Sequence, residues 1–386
     1  MKKILTAISI SLLTINALAQ QPGNVNQNAQ IDPMPATMAP TQEVLMQDYN
    51  NRTYLRENLP AQQIQAQQHI SPAQYPQSAS RGLTNDQIIE ERLKRINTTI
   101  DLAYNDISKS YINKYANMKH HVAVMLGSMN FYRPIFEAAI EKYGVPYELE
   151  FLPVIESALR PTAKSPAGAA GLWQFIPSTG KMYGLTINTL VDERCDPIKS
   201  TDAAIRYLRD MYNRFGDWSL AIAGYNCGEG AVLKALARSG GREGKTFWDI
   251  YKYLPKETRG YVPAFIGATY IMTYYCEHGI SPMTASLPEN SDTIMVNRDV
   301  RLSKVASACG LSLDQLKALN PQFRQDIVPA SYAIRLPSEA INSFVEQQEN
   351  IYSSYTSSRS YAYNSSSNSS SNSNRSRSSR GYHRRR

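Results

Sequence analysis

The chain has 386 residues, 42% hydrophobic and 19% charged, and its formal net charge is +8. This length allows two or three folded units, and the hydrophobic fraction excludes a chain that is disordered throughout. A charge of +8 makes nucleic acid or an anionic surface the first partner to consider. Beyond the N-terminus, no apolar run reaches the roughly 18–20 residues of a membrane span.

The N-terminus has the pattern of a secretory signal. Met1–Ala19 begins with two lysines, continues with an apolar stretch and ends on Ala17-Leu18-Ala19, the A-x-A spacing of a cleavage site. A membrane anchor is the alternative, but the apolar run is short for one. No cysteine lies near the cleavage site, which disfavours a lipid-anchored precursor. We therefore predict export to the periplasm or cell envelope of a bacterium, and leave association with the outer membrane open.

Export makes the cysteines candidates for disulfide bonds, because the bacterial periplasm is oxidising. The chain has Cys195, Cys227, Cys276 and Cys309. Three complete pairings remain open for four cysteines. Their spacings match no zinc pattern, and the histidines form no HExxH motif. We expect no metal and no cofactor.

Composition and periodicity divide the remaining chain into four parts. Residues 20–85 are rich in Gln, Pro and Asn, which predicts a disordered linker. Residues 86–285 repeat apolar side chains at threes and fours, which predicts a mainly α domain. Residues 288–345 place two helix candidates between two strand candidates, a βααβ order. Residues 346–386 are rich in Ser and Arg and are predicted to be a disordered tail.

One carboxylate stands out in the helical region. Glu156 follows the apolar run Phe151–Ile155. A glutamate among such side chains is desolvated, which raises its pKa and keeps it protonated near neutral pH. A protonated acid can give its proton to a glycosidic oxygen as that bond breaks. A glutamate that caps or salt-bridges a helix end is the structural alternative.

Four motifs follow one another through the same region. They are Ile155-Glu156-Ser157, Ala167–Phe175 (AGAAGLWQF), Ala223–Gly230 (AGYNCGEG) and Glu257–Pro263 (ETRGYVP). In these motifs, residues 147–280 resemble the catalytic (SLT) domain of the family 1 lytic transglycosylases, which has a goose-type lysozyme-like fold. The fold class we expect is therefore mainly α, a goose-type lysozyme-like catalytic domain followed by the small βααβ module.

The resemblance implies a role for each matching residue. Glu156 would be the catalytic residue, the sole acid and then the base. The residues that would bind substrate or line its cleft are Ser157, Gln174, Tyr225, Asn226, Glu257 and Tyr261. Among them, Tyr225 and Tyr261 would lie near the catalytic carboxyl group.

The implied reaction cleaves the β-1,4 bond between N-acetylmuramic acid and N-acetylglucosamine in peptidoglycan. Ordinary glycosidases use two carboxylates, but the motifs here supply one obvious acid. Glu229 is a second candidate, although it stands at a predicted helix start, where the helix dipole favours a carboxylate. In the family, one acid suffices because the sugar's own C6 hydroxyl attacks C1 and gives a 1,6-anhydro product. A hydrolytic lysozyme-type muramidase and a non-catalytic peptidoglycan-binding scaffold are the alternatives.

The βααβ module resembles a LysM glycan-binding module. Its helix-Gly-helix centre and Leu319-Asn320-Pro321 fit the resemblance, whereas Val296–Asp299 replaces the usual V-x-x-G-D-T-L turn. Glycan binding and a purely accessory role are both left open.

The net charge is concentrated in the tail. Residues 351–386 hold seven arginines and no acidic residue. Removing these charges and those of Lys2 and Lys3 from +8 leaves −1 for the mature body. Nucleic acid is therefore no longer expected, and the partner we predict is the peptidoglycan glycan strand. The tail either contacts anionic envelope surfaces or has no partner.

Overall fold

The computed structural model describes residues 82–285, 287–288 and 290–353. The predicted signal peptide, the predicted linker up to residue 81 and the tail from residue 354 lie outside these described residues.

The described chain forms two compact units. The first unit comprises the described residues up to Ile187 together with Glu193–Ala285. The second unit comprises Asn188–Asp192 and the described residues after Ala285.

The first unit is built from helices, as its apolar spacing predicts. Its α-helices are α1 (Asn85–Arg95), α2 (Asp106–Asn117), α3 (Lys119–Tyr143), α4 (Leu152–Ser157), α5 (Pro177–Met182), α6 (Pro197–Phe215), α7 (Trp218–Cys227), α8 (Glu229–Arg238), α9 (Phe247–Ile250), α10 (Lys256–Arg259) and α11 (Tyr261–Thr273). Short 3-10 helices lie at Tyr147–Phe151, Tyr251–Tyr253 and Cys276–His278. In the described part of the chain, no helix combines the length and hydrophobicity needed to cross a lipid bilayer.

Capping residues set several helix boundaries. The Thr84 side chain accepts a hydrogen bond from the Gln87 backbone, and the Gln87 side chain accepts one from the Thr84 backbone, a capping box that starts α1. The Asp196 carboxylate accepts from two backbone N–H groups at the start of α6. Gly216 ends α6 at a φ of 72°, a conformation that favours glycine.

Two almost fully buried helices, α7 and α11, run through the core of the first unit. All residues of α7 are buried, as are the residues of α11 from Tyr261 to Met272. Helix α11 packs against α2 and α4, and α7 packs against α6. Gly267 allows the close approach of α2, since a Cβ there would lie 3.0 Å from the backbone carbon of Tyr111. Close packing on all sides holds the side chains of these helices in fixed positions.

The second unit combines two small antiparallel strand pairs with short helices in its described residues. Its elements are β1 (Ser291–Met295), β2 (Val300–Arg301), α12 (Leu302–Ala308), α13 (Leu313–Leu319), β3 (Ile327–Val328), β4 (Ala333–Pro337) and α14 (Ile341–Glu346). Strand β1 pairs with β4 from Ser291↔Pro337 to Met295↔Ala333, and β2 pairs with β3. The predicted fold class is confirmed: a mainly α chain with a βααβ order at its C-terminal end. The β2–β3 pair is an addition that the sequence pattern did not predict.

The predicted start of the tail at residue 346 is too early. The chain remains helical through most of residues 348–353, and Ile351 and Tyr352 are 2% and 5% exposed in the core of the second unit. These two apolar side chains anchor the short helix. The composition of the Ser-rich stretch did not indicate them, because composition averages over many residues.

The second unit also includes Asn188–Asp192, which the sequence pattern assigned to the mainly α domain. Val191 is fully buried in the core of this unit, and Asp192 forms an ion pair with Arg324. The backbone N–H of Arg324 donates to the carbonyl of Leu190 at 2.8 Å. This pairing joins segments more than 130 residues apart in sequence, so local patterns do not reveal it.

Candidate active site

Glu156 lies in the last turn of α4, a short helix whose residues are all buried. The helix ends sharply because Ala158 and Leu159 adopt left-handed φ values of 52° and 59°. Their backbone N–H groups return to carbonyls of α4, Leu159 to Pro153 at 3.2 Å. Non-glycine residues in this conformation are uncommon and are found often at functional sites. Glu156 is 3% exposed, so its carboxyl group sits in the desolvated position that the apolar run predicts.

Two buried tyrosines accompany Glu156. Tyr261, the first residue of α11, donates its hydroxyl hydrogen to Oε1 of Glu156. Burial, and after it the charge of Glu156, raises the pKa of Tyr261 well above its ordinary value, and the same two causes raise the pKa of Tyr225. Both phenols therefore stay neutral in the folded protein at ordinary pH. The Tyr225 hydroxyl donates to the main-chain carbonyl of Trp173 at 2.7 Å, so Tyr225 supports the neighbouring loop.

Ser157 connects α4 to that loop. Its hydroxyl lies 2.9 Å from the carbonyl oxygen of Leu172 and 3.1 Å from that of Pro153. A hydroxyl carries one hydrogen, and here that hydrogen is used on the protein backbone. The Ser157 hydroxyl thus joins α4 to the loop that carries Gln174.

Gln174 is fully buried and has a φ of 49°. Its Nε2 donates to the carbonyls of Ala163 at 3.1 Å and Gly171 at 2.8 Å. Its Oε1 has no hydrogen-bond partner among the described residues. Buried polar atoms are nearly always satisfied, so this oxygen is an acceptor that a bound group can complete.

Arg194 holds the loop that carries Gln174, a contact that the motifs did not predict. Its Nη1 donates to the carbonyls of Gly168 at 2.6 Å and Phe175 at 3.0 Å, which lie at the two ends of the loop that carries Gln174. Its main chain packs against Gly171, where a Cβ would lie 1.7 Å from the Arg194 carbonyl oxygen. The sequence signal was a charged Asp-Glu-Arg stretch before α6, but the stretch does not say which carbonyls the arginine binds.

Asn226 is fully buried at the end of α7 and meets a second residue that was missed. The Oγ1 of Thr258 donates to Oδ1 of Asn226 at 2.9 Å. The Nδ2 of Asn226 has no partner in the described chain. Asn226 therefore presents an unsatisfied donor, and Gln174 an unsatisfied acceptor.

The other glutamates differ from Glu156 in their surroundings. Glu257 is exposed on α10, so its side chain does not join the buried group around Glu156. Glu229 begins α8, which agrees with its predicted place at a helix start. It forms an ion pair with Arg214 at 2.5 Å. Glu150 is buried and forms an ion pair with Arg133 at 3.3 Å.

No disulfide joins the four cysteines, all of which the structure describes. Across residues 82–285, 287–288 and 290–353, no group of three or more His, Cys, Asp or Glu side chains could hold a metal ion.

The buried group thus combines three kinds of chemistry. Glu156 supplies a carboxyl group for proton transfer, and Tyr261 supplies a neutral hydroxyl beside it. Gln174 and Asn226 supply one amide acceptor and one amide donor. Such a set suits a polar, uncharged substrate that undergoes acid–base chemistry.

Two known family models match segments of this chain. Residues 133–248 match the family model described as Transglycosylase SLT domain. Residues 290–353 match the model described as Lytic transglycosylase MltD, LysM-like domain. The SLT and LysM-like resemblances drawn from the motifs are therefore confirmed.

Curated relatives match this chain over part of their length. The chain is 34% identical over 229 residues to the membrane-bound lytic murein transglycosylase D of Escherichia coli (strain K12), a match that covers 59% of this chain and 50% of the relative. It is 35% identical over 113 residues to the soluble lytic murein transglycosylase of the same strain, covering 28% of this chain and 17% of the relative. The chain therefore spans half or less of the length of these relatives.

Among solved structures, the 70 kDa soluble lytic transglycosylase from Escherichia coli matches with 30% identity and a TM-score of 0.32. That match covers 40% of this chain and 26% of the solved chain.

Proposed function

We propose that the protein is a peptidoglycan lytic transglycosylase. It cleaves the β-1,4 bond between N-acetylmuramic acid and N-acetylglucosamine without consuming water and releases 1,6-anhydromuramyl products. The observation that carries the proposal is the buried Glu156 carboxyl group, hydrogen-bonded by the neutral hydroxyl of Tyr261 within an SLT domain. The names of the relatives, lytic murein transglycosylases, support the same substrate.

In the first step, Glu156 acts as a general acid. Its proton passes to the glycosidic oxygen as the bond from that oxygen to C1 of N-acetylmuramic acid breaks. The positive charge that develops at C1 is stabilised by the acetamido oxygen of the same sugar. The Glu156 carboxylate left behind accepts the hydrogen bond of Tyr261, which stabilises its negative charge.

In the second step, Glu156 acts as the base. The carboxylate takes the proton of the C6 hydroxyl while the C6 oxygen attacks C1 and displaces the acetamido oxygen. The product is a 1,6-anhydro ring, and Glu156 returns to its protonated form. The open acceptor of Gln174 and the open donor of Asn226 are suited to the sugar hydroxyl and acetamido groups.

The proposal includes an exported location. Met1–Ala19 has the pattern of a signal peptide, and the substrate lies in the bacterial envelope. We propose the periplasm or the cell envelope as the location and glycan strands as the partner of the first unit.

Product mass tests the reaction. Purified peptidoglycan digested with the protein should release muropeptides lighter by one water than those from a parallel lysozyme digest. Products with ordinary reducing ends would instead indicate a hydrolytic muramidase. The absence of any released product would favour a non-catalytic scaffold.

A further inference from the structure

Thr258 joins two of the site's motifs and has no role in the reaction described above. It lies in α10 and is 1% exposed. Its hydroxyl makes a buried hydrogen bond of 2.9 Å to Oδ1 of Asn226, which belongs to α7. The bond therefore joins the AGYNCGEG motif to the ETRGYVP motif.

This hydrogen bond determines which end of the Asn226 amide is left unsatisfied. The oxygen and nitrogen ends of an amide have nearly the same shape, but one accepts and the other donates. The Thr258 hydroxyl satisfies the oxygen end, and Nδ2 has no partner within the described chain, although Asn226 is fully buried. An orphaned buried donor is uncommon, and a bound water or a ligand can complete its hydrogen bond.

The neighbouring thiol of Cys227 does not compete strongly for the Thr258 hydrogen. Burial raises the pKa of Cys227 to about 12, with a smaller opposing effect from the Thr258 hydroxyl. The thiol is therefore protonated at neutral pH, and it contacts the carbonyl of Gly228 at 3.8 Å. A neutral thiol is a weak acceptor, so the hydroxyl hydrogen of Thr258 remains with Asn226.

We propose that Thr258 is a positioning residue that holds the Asn226 amide with its N–H donor directed to the substrate. The inference rests on the proposed function, because it takes the glycan as the group that completes the Asn226 hydrogen bond. The substrate atom that Nδ2 meets is then an oxygen acceptor of the bound sugar. If the Thr258 hydroxyl were absent, the amide could turn over and present an oxygen to that acceptor, which is repulsive.

A pair of substitutions at Thr258 tests the hydroxyl separately from the side-chain volume. Thr258→Val keeps the shape and removes the hydroxyl, whereas Thr258→Ser keeps the hydroxyl. We expect Thr258→Val to lower the initial rate of muropeptide release by about tenfold, and Thr258→Ser to stay within about twofold of the unmodified protein. Equal rates for the two variants, whether both high or both low, would overturn the proposal.

Thr269 provides the matched control. It is a fully buried threonine of α11 whose Oγ1 has no hydrogen-bond partner in the described residues. Thr269→Val removes a hydroxyl of the same kind without breaking a described hydrogen bond, so its rate should match that of the unmodified protein. A tenfold loss in Thr269→Val as well would show that any buried Thr→Val change perturbs the enzyme, and would contradict a specific role for Thr258.

A double-mutant cycle tests whether Thr258 acts through Asn226. In an Asn226→Ala background, Thr258→Val should cost less than about twofold, because the amide that it orients is gone. An undiminished tenfold loss in that background would mean that Thr258 acts through the fold, and would overturn the proposal. Thermal unfolding midpoints confirm that each variant is folded.

The proposed reaction and the proposed role of Thr258 are contradicted by different results. Hydrolytic products would contradict the proposed reaction, while the coupling of Thr258 to Asn226 could still be measured on the hydrolytic rate. Anhydro products combined with an absence of coupling would contradict the role of Thr258 alone.

Discussion

The segment Tyr147–Ser157 contains two glutamates, Glu150 and Glu156, that are equally buried but have different hydrogen-bond partners. Glu150 is 2% exposed and forms an ion pair with Arg133, whereas Glu156 is 3% exposed and accepts the hydroxyl hydrogen of Tyr261. A guanidinium is always charged and only donates, so it stabilises a carboxylate and opposes its protonation. A phenol hydroxyl both donates and accepts, so it can serve the carboxylate and the carboxylic acid in turn. The proposed reaction needs an acid that is stable in both protonation states, and the phenol hydroxyl of Tyr261 suits both states of Glu156.

The largest effect is expected at Glu156. Glu156→Gln removes the exchangeable proton but keeps the shape and a hydrogen-bond acceptor for Tyr261. We expect the rate of muropeptide release to fall about a thousandfold, with a thermal midpoint close to that of the unmodified protein. Glu229→Gln is the control, because Glu229 is held in an ion pair with Arg214 at a helix start. Comparable losses in both variants would mean that Glu156 is not the distinctive acid.

The next largest effect is expected at Tyr261. Tyr261→Phe removes the donor to Glu156 and leaves the ring, so we expect a loss of about ten- to a hundredfold in rate. Because burial and the charge of Glu156 raise the pKa of Tyr261 well above its ordinary value, its hydroxyl should not ionise in the working pH range. The alkaline limb of the pH–rate profile should therefore persist in Tyr261→Phe, because it does not come from ionisation of the phenol. An alkaline limb that disappears in this variant would contradict a permanently neutral phenol.

A change at Glu150 should affect stability and leave the chemistry intact. Glu150→Gln leaves the Arg133 guanidinium without its carboxylate, and we expect the free energy of unfolding to fall by about 2 kcal/mol. The rate per folded molecule should remain within about twofold. Urea unfolding and initial rates measure the two quantities, with Glu148→Gln as a control in the same segment. A Glu150→Gln variant that is stable but inactive would contradict the proposed difference in role between Glu150 and Glu156.

The smallest effect is expected at Cys227. The reactivity of its thiol tests whether the interior next to Asn226 is closed to solvent. A pKa of about 12 caused by burial leaves about one thiol in ten thousand ionised at pH 8. Iodoacetamide at that pH should modify the exposed Cys276 and leave Cys227 unmodified until the protein is denatured. Rapid modification of Cys227 in the folded protein, read by peptide mass, would show an open site.

Local signals in the sequence predicted the helices and a set of candidate site residues. Apolar spacing predicted the helices, and the motifs identified Glu156, Gln174, Asn226 and Tyr261, which occur in buried positions in the structure. Glu257 matched a motif equally well, yet its side chain is exposed. A motif match does not fix burial, because burial depends on how the helices pack.

The residues that sequence reasoning missed act through contacts between distant parts of the chain. Arg194 binds carbonyls of Gly168 and Phe175, and Thr258 binds Asn226 across 32 residues. No periodicity or composition predicts which partner such a side chain finds. The same holds for Val191, whose burial in the core of the second unit depends on segments far away in sequence.

The source of the oxygen at C1 of the product tests the proposed reaction most directly. Peptidoglycan is digested in water enriched in the heavy oxygen isotope, and the released muropeptides are analysed by mass spectrometry. If the C6 hydroxyl of the substrate closes the ring with Glu156 as the base, the products carry no heavy oxygen. Heavy oxygen at the newly formed reducing end would show that water attacks C1, and would contradict the proposed transglycosylase reaction.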